Sequence, residues 1–339
     1  MRIGLVGYGA GGRIFHLPFI QAAPEWEIVG VVTRSAGRRA ELAADVPGLR
    51  AFDSLDDLID AGVDAVVITT PPSTRRELVL RALERGVHVV ADKPFAPDLA
   101  TAQELVDAAA AAGTCLTVFH NRRQDTDFLT LRAVVASGEI GTPMRADFVL
   151  DQADPASREI AVGGGLLRDL GAHVVDQATQ LFGPVARVDA HLDWLDVPGG
   201  RVDCGFSIAL HHESGAFSQV SSSRLGLRDE RGMIVYGSEG SYASRMHDVQ
   251  VDQTFAGLRP NTAEDWGVEA EERWGTLATA AGSRRIAPVA GDYTDYYRGL
   301  HAALAAGEEP PVRLAEALHT VAILDAARES DELGCSVEL

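Results

Sequence analysis

The sequence contains very little lysine: 29 of its 30 basic side chains are arginines, and the remaining one is Lys93. Lys93 is followed by Pro94 and preceded by no G-x-x-x-x-G, which excludes a Walker A loop and with it P-loop ATP or GTP chemistry. Arginine stays charged at ordinary pH, whereas a buried lysine amine can shift its pKa and transfer a proton. Lys93 is therefore a candidate for chemistry; the alternative is a lysine left by chance on a solvated face.

Cysteine is scarce as well, and long apolar runs are absent. Cys115, Cys204 and Cys335 are widely spaced and include no C-x-x-C pair, so neither a disulfide framework nor a structural zinc site is indicated. No apolar stretch is long enough to span a bilayer. Met1 and Arg2 lead directly into a strand-like segment, without a signal peptide. We expect a cytoplasmic protein in a reducing compartment.

Positive charge is in deficit, since 49 acidic residues give a formal net charge of -19 at pH 7. This charge repels nucleic-acid phosphates and anionic lipid, and no cluster of basic residues overcomes it locally. We therefore expect neither nucleic acid nor a membrane surface as a partner. A chain of 339 residues with 46% apolar side chains exceeds the usual size of one core and predicts two domains.

The first 120 residues alternate short apolar runs with amphipathic segments, a pattern typical of helices packed on both faces of a parallel sheet. We predict strands at 3–6, 28–32, 65–69, 87–91 and 116–119, and helices at 13–22, 36–44, 55–61, 74–85 and 99–112. The pattern predicts an α/β, doubly wound dinucleotide-binding domain over residues 1–120.

The rest of the chain, residues 121–339, has a different rhythm. A helix to Ser137 is followed by a glycine-rich segment at Gly163 that leads into a helix reaching about Leu181. Strands with alternating polarity and two closing helices follow, at 185–195, 201–211, 215–223, 293–306 and 314–329. We expect an α+β domain with an antiparallel sheet. The periodicity of residues 257–290 is too weak to assign.

A glycine motif follows the first predicted strand. Residues 7–12 read Gly-Tyr-Gly-Ala-Gly-Gly and match G-x-G-x-x-G at the start of a helix. Glycine at Gly7, Gly9 and Gly12 permits a tight turn, close approach of the backbone to a pyrophosphate and close helix–strand packing. The helix N-terminus offers amide donors to phosphate. The motif predicts dinucleotide binding; the alternative is a merely glycine-rich turn.

The type of dinucleotide depends on the end of the second predicted strand. An acidic residue there would bind the ribose 2′-hydroxyl of NAD, but the strand runs into Thr33, Arg34 and Ser35, with Arg38 and Arg39 following. Hydroxyl and guanidinium groups suit a 2′-phosphate. We predict NADP; the alternative is a solvated arginine at a helix start, with NAD also accepted.

Candidate catalytic residues occur in both domains. Lys93 follows the strand at 87–91, at the sheet edge where open α/β folds bind ligands. Asp169, His173 and Asp176 are spaced i, i+4 and i+7, which aligns them on one helix face. Alcohol oxidation needs a base, for which we predict His173. Lys93 would stabilise the reacting oxygen, and Asp169 would bind a neighbouring hydroxyl or orient the imidazole.

Other interpretations of these residues remain open. His173 is alternatively a buried histidine satisfied by Asp169 or Asp176. The cluster contains a single histidine, and no second pair of ligand residues has zinc-like spacing. This pattern argues against a metal site. A Schiff base on Lys93 would leave the glycine motif unexplained.

Three motifs occur in a family-specific order: the glycine turn, Asp92-Lys93-Pro94 in the place of Glu-Lys-Pro, and G-G-x-x-x-D-x-G-x-H from residue 164. With them, the chain resembles the Gfo/Idh/MocA oxidoreductases over nearly its whole length. The resemblance implies a Rossmann domain and an α+β domain whose open sheet often mediates homodimers or homotetramers. It implies Lys93, Asp169 and His173 as catalytic positions, and nicotinamide contacts from Thr70 and Pro71.

Residues 12–18 and 119–125 resemble the branch that contains NADP-dependent scyllo-inositol dehydrogenases, which implies a sugar or cyclitol substrate. Two residues depart from the pattern: Arg75 stands where relatives often have His, and Gln124 where that branch often has Trp. We predict that Arg122 and Asp176 contact substrate. Alternatively, Arg122 and its neighbour Arg123 pair with two nearby acids, Asp125 and Asp127.

The sequence thus predicts an NADP-dependent oxidoreductase that transfers a hydride between a secondary alcohol of a sugar or inositol and nicotinamide. Two alternatives keep the fold. One is a non-catalytic regulatory protein that binds a dinucleotide or sugar, and the other is a glycosidase that recycles its bound cofactor.

Overall fold

The computed structural model describes residues 1–153, 164–226, 228–245 and 247–339, so the predicted segment at Gly163 lies outside the described residues. The chain forms two compact units. The first unit comprises Met1–Asn121, Gln250–Trp266 and Asp292–Leu318, and the second comprises Arg122–Val249, Gly267–Gly291 and His319–Leu339. The domain division at 120/121 stays a prediction, and two later segments of the chain group with the first unit.

The first unit contains a parallel six-stranded sheet. Its strands are β1 (Arg2–Val6), β2 (Glu27–Val32), β3 (Ala51–Phe52), β4 (Ala65–Ile68), β5 (His88–Asp92) and β6 (Leu116–Phe119). They lie in the order β3-β2-β1-β4-β5-β6. All residues of β4 are buried, as expected for a parallel sheet covered on both faces. The five predicted strands are confirmed, whereas β3 was missed because two residues show no periodicity.

Helices alternate with these strands. They are α1 (Leu17–Gln21), which continues a π-helical turn at Gly11–His16, and α2 (Ala36–Asp45), α3 (Leu55–Asp60), α4 (Pro72–Glu84) and α5 (Leu99–Ala112). The side chains of Ser35, Ser54 and Asp98 accept hydrogen bonds from backbone N–H groups in the first turns of α2, α3 and α5. These N-caps satisfy amides that have no intrahelical partner, which is why the helices begin there. The predicted doubly wound domain is confirmed.

The described part of the second unit contains an open, mostly antiparallel sheet, two whole helices and the part of the helix Leu314–Leu333 that begins at His319. The helices are α6 (Thr126–Ser137) and α7 (Ala172–Phe182), and the strands are β7 (Pro143–Leu150), β8 (Val185–Val197), β9 (Gly200–His212), β10 (Phe217–Ser223), β11 (Arg231–Gly237), β12 (Gly240–Ser244), β13 (Thr276–Thr279), β14 (Gly282–Arg285) and β15 (Val337–Glu338). Their order in the sheet is β14-β13-β12-β11-β7-β10-β9-β8-β15. Strands β7 and β10 pair in parallel.

The three predicted strands of the second unit are observed as β8, β9 and β10. The unassigned segment 257–290 contains β13 and β14. Every residue of β14 is exposed, so its sequence carries no apolar alternation and gave no strand signal. Apolar residues of α7, among them Val174 and Val175, belong to one buried cluster with sheet residues such as Phe148 and Ile208.

The closing helices are α8 (Val249–Phe255), α9 (Thr294–Ala306) and α10 (Leu314–Leu333). In the first unit, Tyr296 and Tyr297 lie with their rings 4.9 Å and 5.7 Å from that of Phe119, between centroids. These aromatic contacts join α9 to the end of β6. None of the helices in the described ranges has the length and apolar character that crossing a membrane requires.

Candidate active site

The glycine turn joins β1 to the π-helical turn that precedes α1. Gly7 has a φ of +106°, a backbone conformation that favours glycine, and its N–H donates to the Val32 carbonyl at 3.0 Å. A Cβ at Gly12 would overlap the carbonyl oxygen of Gly7, whereas a Cβ at Gly9 would meet no atom within 4 Å. The turn is therefore closely packed on one side and open on the other, which fits the approach of a pyrophosphate.

A cavity of about 430 Å³ opens beside this turn. The lining includes the predicted cofactor residues Gly7, Thr33, Arg34, Ser35 and Thr70. Ser35 caps α2, since its Oγ accepts the N–H of Arg38 at 3.4 Å. Arg34 is exposed. The structure thus brings the glycine turn, the end of β2 and the loop after β4 to one cavity, with dimensions that suit part of a dinucleotide.

The arginines after β2 differ in their partners. Arg38 pairs with Glu41 at 3.0 Å, and Arg39 donates from Nη2 to Oδ1 of Asp53 at 2.6 Å. Arg34 makes no ion pair with any residue in the described part of the chain. Asp53 also lines the cavity, and sequence reasoning missed it because it follows the two-residue strand β3. Among these three arginines, Arg34 is therefore the one whose charge no described carboxylate neutralises, which leaves it able to bind an anionic ligand.

Lys93 lies directly after β5, and its N–H donates to Oδ1 of Asp92 at 2.8 Å. Because β1, β4 and β5 are neighbours in a parallel sheet, the residues that follow them share its carboxyl edge. Gly7, Thr70 and Lys93 therefore lie on the same edge. Pro71, at the N-terminus of α4, is exposed. The Oγ1 of Thr70 is buried and has no hydrogen-bond partner among the described residues.

Asp92 contacts a buried histidine. His16 is fully buried, its Nδ1 hydrogen-bonds the hydroxyl of Tyr297, and its Nε2 lies 3.7 Å from Oδ1 of Asp92. Burial alone would raise the pKa of Asp92, but neighbouring His16 and the positive charges of Arg75 and Lys93 outweigh burial and lower it. Asp92 is therefore a carboxylate that stays ionised beside Lys93.

Arg75 occupies the position where relatives often have His. It is 3% exposed and donates to main-chain carbonyls in two loops: to Thr70 at 2.9 Å, to Asp92 at 2.6 Å and to Pro94. Burial lowers the pKa of this guanidinium, and the Asp92 charge partly opposes that effect. The loops after β4 and β5 are thus tied together by one side chain.

In the second unit, Asp169 lies in a π-helical turn at Leu167–Gly171 that leads into α7. Asp203 on β9 positions this turn: its Oδ2 accepts the N–H of Leu167 at 2.7 Å, and Arg328 donates to its Oδ1 at 3.0 Å. Arg328 also donates to the carbonyl of Gly164 at 3.1 Å. The predicted helix is observed, and a carboxylate from another strand anchors its start.

Asp169 pairs with an arginine that sequence reasoning missed. Arg224, just after β10, donates from Nη2 to Oδ2 of Asp169 at 2.7 Å and to Oε1 of Gln152 at 3.2 Å. The Arg224 side chain is 10% exposed and that of Asp169 is 40% exposed, so the carboxylate also faces solvent. Arg224 and Asp169 are 55 residues apart, and no local pattern could have linked them.

His173 and Asp176 both lie on α7 and are buried. Asp176 forms a two-bond ion pair with Arg123, at 2.9 Å to Nε and 2.6 Å to Nη2. Arg123 therefore has a buried carboxylate partner on α7 that the sequence alternatives, Asp125 and Asp127, did not include. A substrate contact by Asp176 stays a prediction.

Arg122 pairs with Asp125 at 2.9 Å, which is one of the two predicted alternatives. Its guanidinium also lies 3.9 Å from Asp248, and a direct role in substrate binding stays a prediction. Nearby, burial raises the pKa of Asp127 to about 6 although the backbone N–H of His247 donates to its carboxylate. The described ranges contain no group of three or more His, Cys, Asp or Glu side chains arranged to hold a metal ion.

Comparison with known proteins identifies both halves of this arrangement. Residues 1–120 match the GFO_IDH_MocA domain, described as an oxidoreductase family with an NAD-binding Rossmann fold, and residues 128–243 match the GFO/IDH/MocA C-terminal domain. The oxidoreductase YdgJ of Escherichia coli (strain K12) is 33% identical over 97% of this chain and 96% of its own. The scyllo-inositol 2-dehydrogenase (NADP(+)) IolW of Bacillus subtilis (strain 168) is 28% identical over 98% and 94%.

The fold agrees with solved structures. The protein YPO2259 from Yersinia pestis has a TM-score of 0.91 and 32% identity, covering 100% of this chain and 97% of that one. The similarity therefore extends through both units of the chain. From the two domain matches and the relative at 33% identity, the chain belongs to the Gfo/Idh/MocA family and is an NAD(P)-dependent oxidoreductase.

Proposed function

We propose that this protein is an NADP-dependent dehydrogenase that interconverts a secondary alcohol of a sugar or cyclitol and the corresponding ketone. One observation carries the proposal. The only lysine of the chain, Lys93, lies on the same sheet edge as the glycine turn at Gly7 and the loop at Thr70. This edge is where open α/β sheets bind ligands, so the single lysine side chain lies where cofactor chemistry occurs.

The choice of NADP rests on Arg34. This exposed guanidinium lines the cavity beside the glycine turn, whereas its neighbours Arg38 and Arg39 are neutralised by carboxylates. A guanidinium without a carboxylate partner suits a 2′-phosphate. Asp53, which could bind a ribose hydroxyl instead, is held by Arg39. The glycine turn would hold the pyrophosphate. Thr70 Oγ1, which is buried and has no partner within the described ranges, would receive a hydrogen bond at the nicotinamide end.

When bound, the cofactor supplies a nicotinamide ring that accepts or returns a hydride. The chain supplies the proton chemistry. Nδ1 of His173 is buried, so we assign the proton transfer to the other ring nitrogen, Nε2. This nitrogen takes the hydroxyl proton in oxidation and returns it in reduction. Lys93 Nζ hydrogen-bonds the reacting oxygen and stabilises its developing negative charge. Asp169, half-exposed beside Arg224, accepts a hydrogen bond from a neighbouring substrate hydroxyl.

A polyol substrate is supported by the resemblance to IolW, whose name specifies scyllo-inositol and NADP. We further propose a homodimer or homotetramer in the cytoplasm. The second unit exposes Met144 and Tyr236 on neighbouring strands of its open sheet, and the three cysteines are thiols, as is usual in reducing compartments. Light scattering on the purified protein measures the oligomeric state.

The deciding experiment incubates the purified protein with inositols, aldoses and their keto forms, each with NADP or NAD. The absorbance of reduced nicotinamide measures turnover. We expect turnover with NADP on at least one cyclitol or sugar. Tight NADP binding without net turnover on any member would contradict the dehydrogenase and favour a regulatory binding protein or a recycled cofactor.

A further inference from the structure

We propose that Arg75 is a positioning residue for the reaction, and that it acts together with Asp92 to hold Lys93 against the loop that carries Thr70. The inference rests on the proposed role of Lys93. Two departures from the family pattern meet at this point: arginine where relatives often have histidine, and aspartate in the first position of Glu-Lys-Pro. In the structure the guanidinium of Arg75 donates to the carbonyl of Asp92 at 2.6 Å.

Arg75 is placed in the first turns of α4, with its side chain directed at two strand ends. Its Nη2 donates to Thr70 after β4, and its Nη1 donates to Asp92 and Pro94 on either side of Lys93. A guanidinium has five N–H donors in a rigid fork, whereas an imidazole has at most two on opposite sides of its ring. Histidine could not hold these three carbonyls in the same way.

The burial of Arg75 argues for a specific role. Removing a charged group from water is unfavourable unless hydrogen bonds and opposite charge offset it. Arg75 is 3% exposed, and the carbonyl oxygens and the Asp92 carboxylate supply that compensation. Apolar side chains could join the two loops without the desolvation cost of a buried charge. Stability alone therefore does not require an arginine at this position.

Asp92 completes the arrangement. Its Oδ1 accepts the N–H of Lys93 at 2.8 Å and lies 3.7 Å from Nε2 of His16, which belongs to the helix following the glycine turn. A Cβ at Gly11 would lie 2.9 Å from its Oδ2. Asp92 thus joins the Lys93 loop to the glycine turn, while Arg75 joins the same loop to Thr70. The backbone that carries the amine and both cofactor-binding loops are held as one assembly.

Such an assembly matters because proton and hydride transfers depend steeply on geometry, and a displacement of about 1 Å can cost roughly 100-fold in rate. We therefore expect Arg75→His and Arg75→Gln to lower kcat by about 10- to 100-fold. KM for the polyol should change far less, because the Lys93 contact with the reacting oxygen strengthens as charge develops in the transition state, whereas the other proposed substrate contacts, Asp169, Arg122 and Asp176, lie outside these two loops. The control is Arg76→His, on the same helix, where the exposed guanidinium pairs with surface Glu104.

A second readout does not depend on turnover. Lys93 is the only lysine, so reductive methylation with ¹³C-formaldehyde labels one side chain besides the N-terminal amine. We expect both Arg75 variants to shift the Lys93 resonance in the intact protein, and Arg76→His to leave it unchanged. If the wild type shows no NADP-linked turnover, the proposed function fails, but the resonance still tests whether Arg75 positions the amine.

A double variant that restores the family residues at positions 75 and 92 tests whether Arg75 and Asp92 act together. Arg75→His combined with Asp92→Glu should lose less activity than the product of the two single losses, because both residues act on one loop. Losses that simply multiply would overturn the joint role. The proposal also fails if Arg75→His and Arg75→Gln, shown to be folded by their melting temperatures, keep both the wild-type kcat and the wild-type Lys93 resonance.

Discussion

Nη2 of Arg224 donates a hydrogen bond to Oδ2 of Asp169 at 2.7 Å. The pair joins the end of β10 to the turn before α7, within the second unit. Because one oxygen of the carboxylate is held by Arg224 while the side chain is 40% exposed, Asp169 is both oriented and accessible to a hydroxyl ligand. Charge-assisted hydrogen bonds of this kind are shorter and stronger than neutral ones.

We expect Arg224→Gln to lower kcat/KM for the polyol by about tenfold, because a hydrogen bond to a charged group contributes about 1.5–3 kcal/mol and part is screened at this half-exposed carboxylate. Affinity for NADP should not change. Steady-state kinetics and cofactor titration measure both quantities. Arg228→Gln is the matched control, since Arg228 is exposed and pairs with Glu230. Equal activity in the two variants would show that Arg224 does not contribute to the reaction.

Lys93→Arg should lower kcat by about 100- to 1,000-fold, the usual contribution of one donor placed at a developing negative charge, while keeping the affinity for NADP. Arginine retains the charge, but its longer, planar guanidinium cannot place a donor where the lysine Nζ lies. Single-turnover absorbance and fluorescence titration with NADPH separate the two effects. Near-normal turnover in this variant would contradict the proposed role of the amine.

His173→Ala should remove most turnover and leave NADPH affinity unchanged, because His173 belongs to the second unit and the cofactor cavity to the first. The control variant is His191→Ala, an exposed histidine on β8. Isothermal titration with NADPH and initial-rate kinetics are compared for the two proteins. Loss of cofactor binding in His173→Ala would show that this division of roles is wrong.

Arg34→Ala should weaken binding of NADP by about 10- to 100-fold and leave NAD nearly unaffected, because only NADP carries the 2′-phosphate and one charge-assisted hydrogen bond contributes about 1.5–3 kcal/mol. Dissociation constants for both cofactors provide the measurement. Arg38→Ala serves as the control, since Arg38 already pairs with Glu41. An equal effect on NADP and NAD would contradict recognition of the 2′-phosphate by Arg34.

The stability of the protein should depend on pH through Asp127. Its pKa is raised by burial from 3.8 to about 6, so between these values the folded carboxyl holds a proton that the unfolded one has lost. The free energy of unfolding therefore falls as pH rises through about 6. This contribution is fully present below about pH 3.8.

Asparagine at this position cannot titrate. The stability advantage of the wild type over Asp127→Asn should therefore shrink by about 2 kcal/mol between pH 4 and 7, because the full effect at 1.36 kcal/mol for each unit of pKa difference is reached only below pH 4. Urea unfolding across this pH range measures it. Asp196→Asn, at an exposed position, is the control and should show no such trend. A constant difference between wild type and Asp127→Asn would mean that the carboxyl is not shifted.

Much of the first unit could be predicted from the sequence, because its strands are buried on both faces and read as continuous apolar runs. The same holds for Gly7 and Gly12, where a left-handed φ and a close backbone approach leave room for glycine alone. The strand β14, with four exposed residues, could not be predicted, since its place in the sheet comes from pairing with β13 and not from an apolar pattern.

By itself the sequence determined the doubly wound sheet, the glycine turn and the identity of Lys93, His173 and Asp169 as candidates, because each depends on residues close together along the chain. Only the tertiary structure decided which partner each charge has. Arg123 pairs with Asp176 and Arg224 with Asp169 across 53 and 55 residues. Such pairs form wherever folding brings a buried cation to a carboxylate, and no local spacing encodes them.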